Sequence, residues 1–210
     1  MEAASKAFPL HRALLFALGF LLSVTAIDHD YKSILESVAR LQISDVISLE
    51  DGIFSKSTVA NILWGLATAL AGWTIPRITL RFIFKYSEKI SLVRTKIEAA
   101  HADSPFKNKT PTVAEKKEAL EFIDSTLQKP KKQLQSLNTV AELAAGTATA
   151  FFATWYWGNI LDAICGLLFL VILLVAQFKS LLLFLSDYIA GAIVRAQLLG
   201  KSPPDLSNLG

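Results

Sequence analysis

A break in polarity constrains this chain more than anything else in it. Four apolar runs, residues 13–27, 57–75, 143–161 and 163–185, are separated into two pairs by residues 77–138, which hold 13 of the 21 Lys and Arg. Seven Asp and Glu fall in the same stretch, so it carries a local surplus of six positive charges. Runs of this length that hold no charge, or Lys179 alone as in the fourth, are rare in soluble domains. A helix needs about 20 mostly apolar residues to cross a hydrocarbon core of roughly 30 Å, and each run comes near that length. With 52% hydrophobic residues and a mean hydropathy of +0.43, the chain reads as an all-α, polytopic membrane protein. The expected layout is four transmembrane helices with an antiparallel helical cytoplasmic stalk. A soluble bundle of unusually apolar helices is the alternative.

The expected organisation follows the polarity. Residues 1–27 form a cytoplasmic N-terminal segment and a first span, the shortest of the four. Its small-residue end, Ser23-Val24-Thr25-Ala26, would also suit a cleaved leader. Residues 28–56 form a translocated loop, with six acids against Lys32, Arg40 and Lys56. Tyr31, Ile34, Leu35, Val38 and Leu41 recur there at the spacing of an amphipathic helix. Residues 57–76 form the second span, with Ser55 or Ser57 as cap and a kink at Pro76. Residues 77–138 form a basic hairpin of two arms, each roughly 40 Å long at about 1.5 Å per residue. Thr112 to Glu115 marks a capping box at the start of the second arm, and Pro130 is expected to bend or interrupt it. Residues 139–161 and 162–185 form spans three and four, joined by Trp155-Tyr156-Trp157 at an interface and by the turn residues Gly158-Asn159. Residues 186–210 form a C-terminal cytoplasmic or interfacial helix and tail. The Lys/Arg bias then places both termini and the hairpin in the cytoplasm of a cell inner membrane.

Span three carries the clearest packing pattern. Ala141, Ala145, Thr149 and Ala153 lie four apart, with Gly146 and Ala150 beside them, so another helix can approach closely. Homo-oligomerisation through this face is expected, although the pattern serves packing within one chain equally well.

Nothing in the sequence supplies a catalytic, cofactor or metal constellation. Asp28-His29-Asp30 resembles a ligand set, but three adjacent residues cannot all reach one metal from a regular element, and a capped helix start explains them. His11 and His101 have no recognisable partners. The lone Cys165 excludes an internal disulfide and a CxxC site. No Ser/His/Asp spacing, phosphate loop or HExxH occurs. Glu142 and Asp162 read as helix-end residues, and the middles of the spans lack ionisable groups, which disfavours an ion-coupled path. Interleaved acids and the lack of a binding motif argue against nucleic acid.

The expected function is therefore non-enzymatic. The leading reading is a membrane sensor or scaffold that oligomerises in the bilayer and couples a membrane or outer-loop signal to a cytoplasmic protein. That partner would be acidic and dock on Lys107, Lys109, Lys116, Lys117, Lys129, Lys131 and Lys132. Small proteins of this layout suit bacterial phage-defence or toxin-immunity systems, an argument from architecture alone. An oligomeric channel or transporter subunit is the second reading.

Overall fold

The computed structural model describes residues 9–27, 57–87, 112–155 and 160–200, together with the isolated positions 95 and 99. The acidic loop, Asp28-His29-Asp30, His101, Lys107, Lys109, the 156–159 turn and the C-terminal tail lie outside the described residues. Apart from residues 9, 57, 58 and 112, which lead into helices, everything described is helical or turn, with no strand among the described residues. The helices are α1 (Leu10–Ile27), α2 (Val59–Ser87), α3 (Val113–Trp155), α4 (Ile160–Leu183) and α5 (Ile189–Leu198), with a π-helical turn, Phe184–Tyr188, joining the last two.

Local chemistry explains the starts of these helices. Thr58, the residue before Val59, caps α2 in place of Ser57, and Ser55 lies outside the described residues. The Asn61 carboxamide oxygen accepts from both the Thr58 backbone N–H and its hydroxyl, each at 2.7 Å, so Asn61 takes the place that Glu holds in a capping box. At α3 the box expected at Thr112 and Glu115 is formed. Glu115 Oε2 accepts from the Thr112 N–H at 2.8 Å, and the Thr112 hydroxyl accepts from the Glu115 N–H at 3.4 Å.

Neither internal proline ends its helix. α2 continues past Pro76 for 29 residues in all, and α3 runs unbroken through Pro130 for 43. Both prolines are buried, so packing holds the backbone where each ring removes one hydrogen bond.

Two stretches are long and apolar enough to cross a membrane, Val59–Ile83 and the continuous Ile160–Leu198, of 25 and 39 residues. Four spans are not shown. The apolar part of α1, Leu10–Val24, is shorter than a span requires. In α3, the place of large apolar residues is taken by Ala, Gly and Thr around Glu142, which lowers its hydropathy.

The chain divides into two compact units. The first comprises Met1–Pro76 and Thr139–Val175, the second Arg77–Asn138 and Ala176–Gly210. In the first unit, α3 is buried at 141, 142, 144, 145, 146, 148, 150 and 151. At 100° per residue these positions point all round the helix, so α3 is enclosed by its neighbours. Leu15 of α1 wedges against it. A Cβ on Gly146 would lie 2.6 Å from Leu15 Cδ2, and one on Gly72 of α2 would lie 2.9 Å from the Glu142 carbonyl oxygen. Leu22, Ala150 and Phe151 form a further cluster with Leu18, Cys165 and Phe169, the Phe151 and Phe169 rings stacking at 5.8 Å. The large side chains Ile62, Leu63, Leu66 and Leu70 of α2, and Ile164, Leu167, Leu168 and Val171 of α4, are exposed.

The second unit has an ordinary apolar core. Leu181, Phe184, Ile189 and Ile193 pack with Leu80 and Ile83 of α2 and Leu134 of α3. The π turn keeps that core in register. The Ile189 N–H bonds to the Phe184 carbonyl, five residues back, and this inserts one residue into the helical pattern. A regular α-helix would carry the inward face from Phe184 to Tyr188 and on to Arg195. With the extra residue Ile189, Ile193 and Ala196 face inward instead. Arg195 is turned out, where its Nε bonds to Asp124 Oδ1 at 2.6 Å.

Candidate functional site

The most concentrated chemistry in the described residues is at the start of α1. Pro9 accepts the Arg12 backbone N–H at 2.9 Å, opening a helix whose first turn carries His11 and Arg12 side by side. Both reach Glu142 of α3. Arg12 donates through Nε to Oε2 at 2.9 Å and through Nη2 to Oε1 at 3.0 Å. The His11 Nε2 lies 2.7 Å from Oε2. A carboxylate held by a guanidinium accepts only, so this bond requires the proton to sit on His11 Nε2. Glu142 is only 2% exposed. The third helix contributes Trp73, whose ring centre lies 5.6 Å from the Arg12 guanidinium carbon, a cation–π distance. Gly72, beside Trp73, is the residue that lets α2 approach the Glu142 backbone.

Three hydrogen bonds thus converge on one buried carboxylate, using both of its oxygens. A bidentate Arg pair is among the stronger and more directional contacts available to a protein. The arrangement fixes three helices to one another. It presents no nucleophile beside a base.

A second polar group lies at the other end of α1. Asn61, fully buried, donates through Nδ2 to the Ser23 hydroxyl at 3.1 Å, and that hydroxyl donates to the Phe20 carbonyl at 2.8 Å. Thr68 is buried against Gly19 and donates to the Trp64 carbonyl at 2.9 Å. Asp162 is buried in the first turn of α4.

The structure separates the residues that the sequence grouped by function. Ala141, Ala145, Gly146 and Ala150 are buried inside this chain, Thr149 is half-buried, and the Ala153 side chain lies outside the described residues. Four of the six residues of the stripe offered for self-association are therefore packed within the chain. Of the candidate docking lysines, Lys117, Lys129, Lys131 and Lys132 are exposed on α3 and Lys116 is half-buried. Glu118, Glu121 and Asp124 share the exposed surface of the first turns, whereas no acid occurs from 125 to 141. On the described part of α3, the exposed cations with no acid among them in sequence are thus Lys129, Lys131 and Lys132. Among the described residues, no group of three or more His, Cys, Asp or Glu is placed to hold a metal ion.

The triad was the site that sequence reasoning missed. Its signal was present: His11 and Arg12 precede the first apolar run, Glu142 lies near the same end of the third, and opposite charges at one depth tend to pair. No known protein family, characterised protein or solved structure matches the chain.

Proposed function

We propose that this protein is a non-enzymatic, multi-pass membrane scaffold or sensor that passes a signal arising at the bilayer to an acidic protein in the cytoplasm. The observation that supports this reading is the inverted polarity of the first unit. Asn61, Thr68, Glu142 and Asp162 are buried while most leucines, isoleucines and valines that α2 and α4 contribute to that unit are exposed. In water, that distribution leaves the apolar surface uncovered; in lipid it is the favourable one, with small residues and polar contacts at helix interfaces. In this reading α1 and the Thr139–Val175 part of the chain complete the membrane bundle, and Lys129, Lys131 and Lys132 face the cytoplasm as the partner's seat. Signal transfer is supported by helix continuity, since α2, α3 and α4 each have residues in both units.

The second reading, a conducting subunit, draws on the same buried polar groups. It is the weaker one because those groups are engaged with each other and with the backbone: Glu142 with Arg12 and His11, Asn61 with Ser23 and Thr58, Thr68 with Trp64.

The test combines extraction and labelling. The protein should stay with membranes through alkaline carbonate. In a Cys165→Ser background, a cysteine placed at the exposed Ser125 should resist a membrane-impermeant maleimide in intact cells and react once the cells are opened. Release by carbonate, or labelling from outside, overturns the assignment. Solute flux in liposomes holding only this protein would favour the conducting subunit.

A further inference from the structure

We propose that the exposed face of α2 between Ile78 and Tyr86, in the second unit, is a seat for anionic phospholipid headgroups. The inference rests on the membrane reading above and adds a ligand to it. Ile78, Phe82 and Tyr86 are exposed by 51%, 56% and 64%, and Arg81 and Lys85 are exposed with them. The spacing makes two parallel rows along one side of the helix. Ile78 and Phe82 are four apart, and so are Arg81 and Lys85, with each cation next to an apolar neighbour.

A solvated helix face does not explain large apolar side chains at successive turns. A partner helix would be expected to bury them without placing cations alongside. A row of cations beside a row of apolar groups matches a phospholipid, which offers a phosphate and an acyl chain together. Charge points the same way. α2 holds Arg77, Arg81 and Lys85 and no Asp or Glu in its 29 residues. Two like charges at the i, i+4 spacing repel, and an anion between them removes that repulsion.

The length of α2 selects a bilayer over an acidic protein. If Val59 marks one edge of the hydrocarbon, Ile78 lies about 30 Å along the helix and Lys85 about 39 Å, at ~1.5 Å per residue. The hydrocarbon core is about 30 Å thick, and about 40–45 Å with its headgroup layers. One headgroup layer adds about 5–8 Å to that core, so Arg81, about 33 Å along the helix, lies at the depth of the phosphates, and the long stem of Lys85 can reach back to it, in the layer where aromatic and basic side chains concentrate on the cytoplasmic side.

The experiment uses the full chain in a mild non-ionic detergent, with thermal unfolding followed by intrinsic tryptophan fluorescence. Phosphatidylglycerol should raise Tm about 4 °C more than the same amount of phosphatidylcholine, and 0.5 M salt should shrink the difference. The variant Arg81→Gln/Lys85→Gln should lose most of it. The control Lys129→Gln/Lys131→Gln, which removes exposed cations with no apolar row beside them, should keep it. The proposal is overturned by equal effects of the two lipids, by an unchanged increment in Arg81→Gln/Lys85→Gln, by an equal loss in the control, or by inorganic phosphate reproducing the effect. It is also overturned if the double variant alters particle mass, the sign of a second copy, while its lipid increment stays intact. Carbonate extraction separates the two levels. A chain that stays in membranes without preferring anionic lipid refutes this inference alone, whereas a chain released by carbonate refutes the membrane reading beneath it.

Discussion

Glu142 and Asp124 are both acids bonded to an arginine from another helix, and burial makes them energetically unlike. Glu142 is 2% exposed and receives three bonds, so removing the carboxylate strands Arg12 in a site built for a pair. Loss of one partner of a buried ion pair costs about 3–5 kcal/mol, and Glu142→Ala should lower stability by that order in detergent unfolding. Replacing the whole cluster, His11→Phe/Arg12→Met/Glu142→Leu, removes the desolvated charges together and should recover most of the loss. A triple variant as unstable as the single one would mean that the triad is not the source. At the Asp124–Arg195 pair the side chains are 53% and 46% exposed, and Asp124→Ala should cost less than about 1 kcal/mol. A larger loss there would show coupling that the exposed geometry does not contain. The two pairs also differ in how far sequence could find them. Glu142 and its partners Arg12 and His11 are 130 and 131 residues apart, but each stands at a recognisable end of an apolar run. Nothing in the sequence links Asp124 to Arg195, because that contact depends on the register of the π turn.

That register governs the second unit at the scale of its elements. The spacing from Phe184 to Ile189 is five residues, too long for one turn of an α-helix, and the π turn absorbs the excess. Deleting the exposed Ser186 should convert the turn to regular α-helix with the inward residues unchanged on both sides. Such a deletion should leave Tm within a few degrees of the wild type, whereas inserting an alanine after Ala190, which relaxation of the π turn cannot absorb, should rotate the following residues about 100° and unfold the packing of Ile193 and Ala196. Circular dichroism and thermal unfolding of the deletion and the insertion decide it, and equal damage from both would refute the register role. The inserted residue was hard to see in advance, because Leu181, Leu182, Leu183 and Leu185 offer an apolar side chain in every direction and so mark no face. Of the two prolines, Pro76 was expected to leave the helix running on beyond it, as it does, and only the interruption named as one outcome at Pro130 is absent. Pro130 weakens a helix locally, but burial within the second unit outweighs one lost hydrogen bond. Helix starts were more legible, since a cap depends on two residues three apart: Thr112 and Glu115 were evident, and Thr58 was overlooked because its partner is Asn61 in place of an acid.

At the scale of the whole molecule, the question is which solvent the first unit was selected for. Polarity patterning announced helices and apolar runs, but the tally of spans depended on α1 and α3, whose residues are chosen to be enclosed by neighbours more than to meet lipid. An alanine-rich helix such as residues 139–155 is weakly hydropathic in sequence whether it lies in water or in a bilayer, and only its surroundings separate the two. The exposed residues of its neighbours supply that separation. Leu66 in α2 and Leu168 in α4 are both exposed. If the first unit lies in water, Leu66→Asp and Leu168→Asp place charge on a wet surface, improve solubility and change stability little. If it lies in lipid, each places a charge among acyl chains at a cost of about 2.5–3.5 kcal/mol near the centre of a span. The expected outcome is the second: each variant should lose membrane-inserted yield and unfold more readily in nanodiscs, while a substitution at an exposed position of the second unit, Ser125→Asp, leaves both unchanged. Soluble, stable Leu66→Asp and Leu168→Asp proteins would return the chain to the class of water-soluble helical bundles, because no packing difference inside the unit can offset charges placed on its outward face.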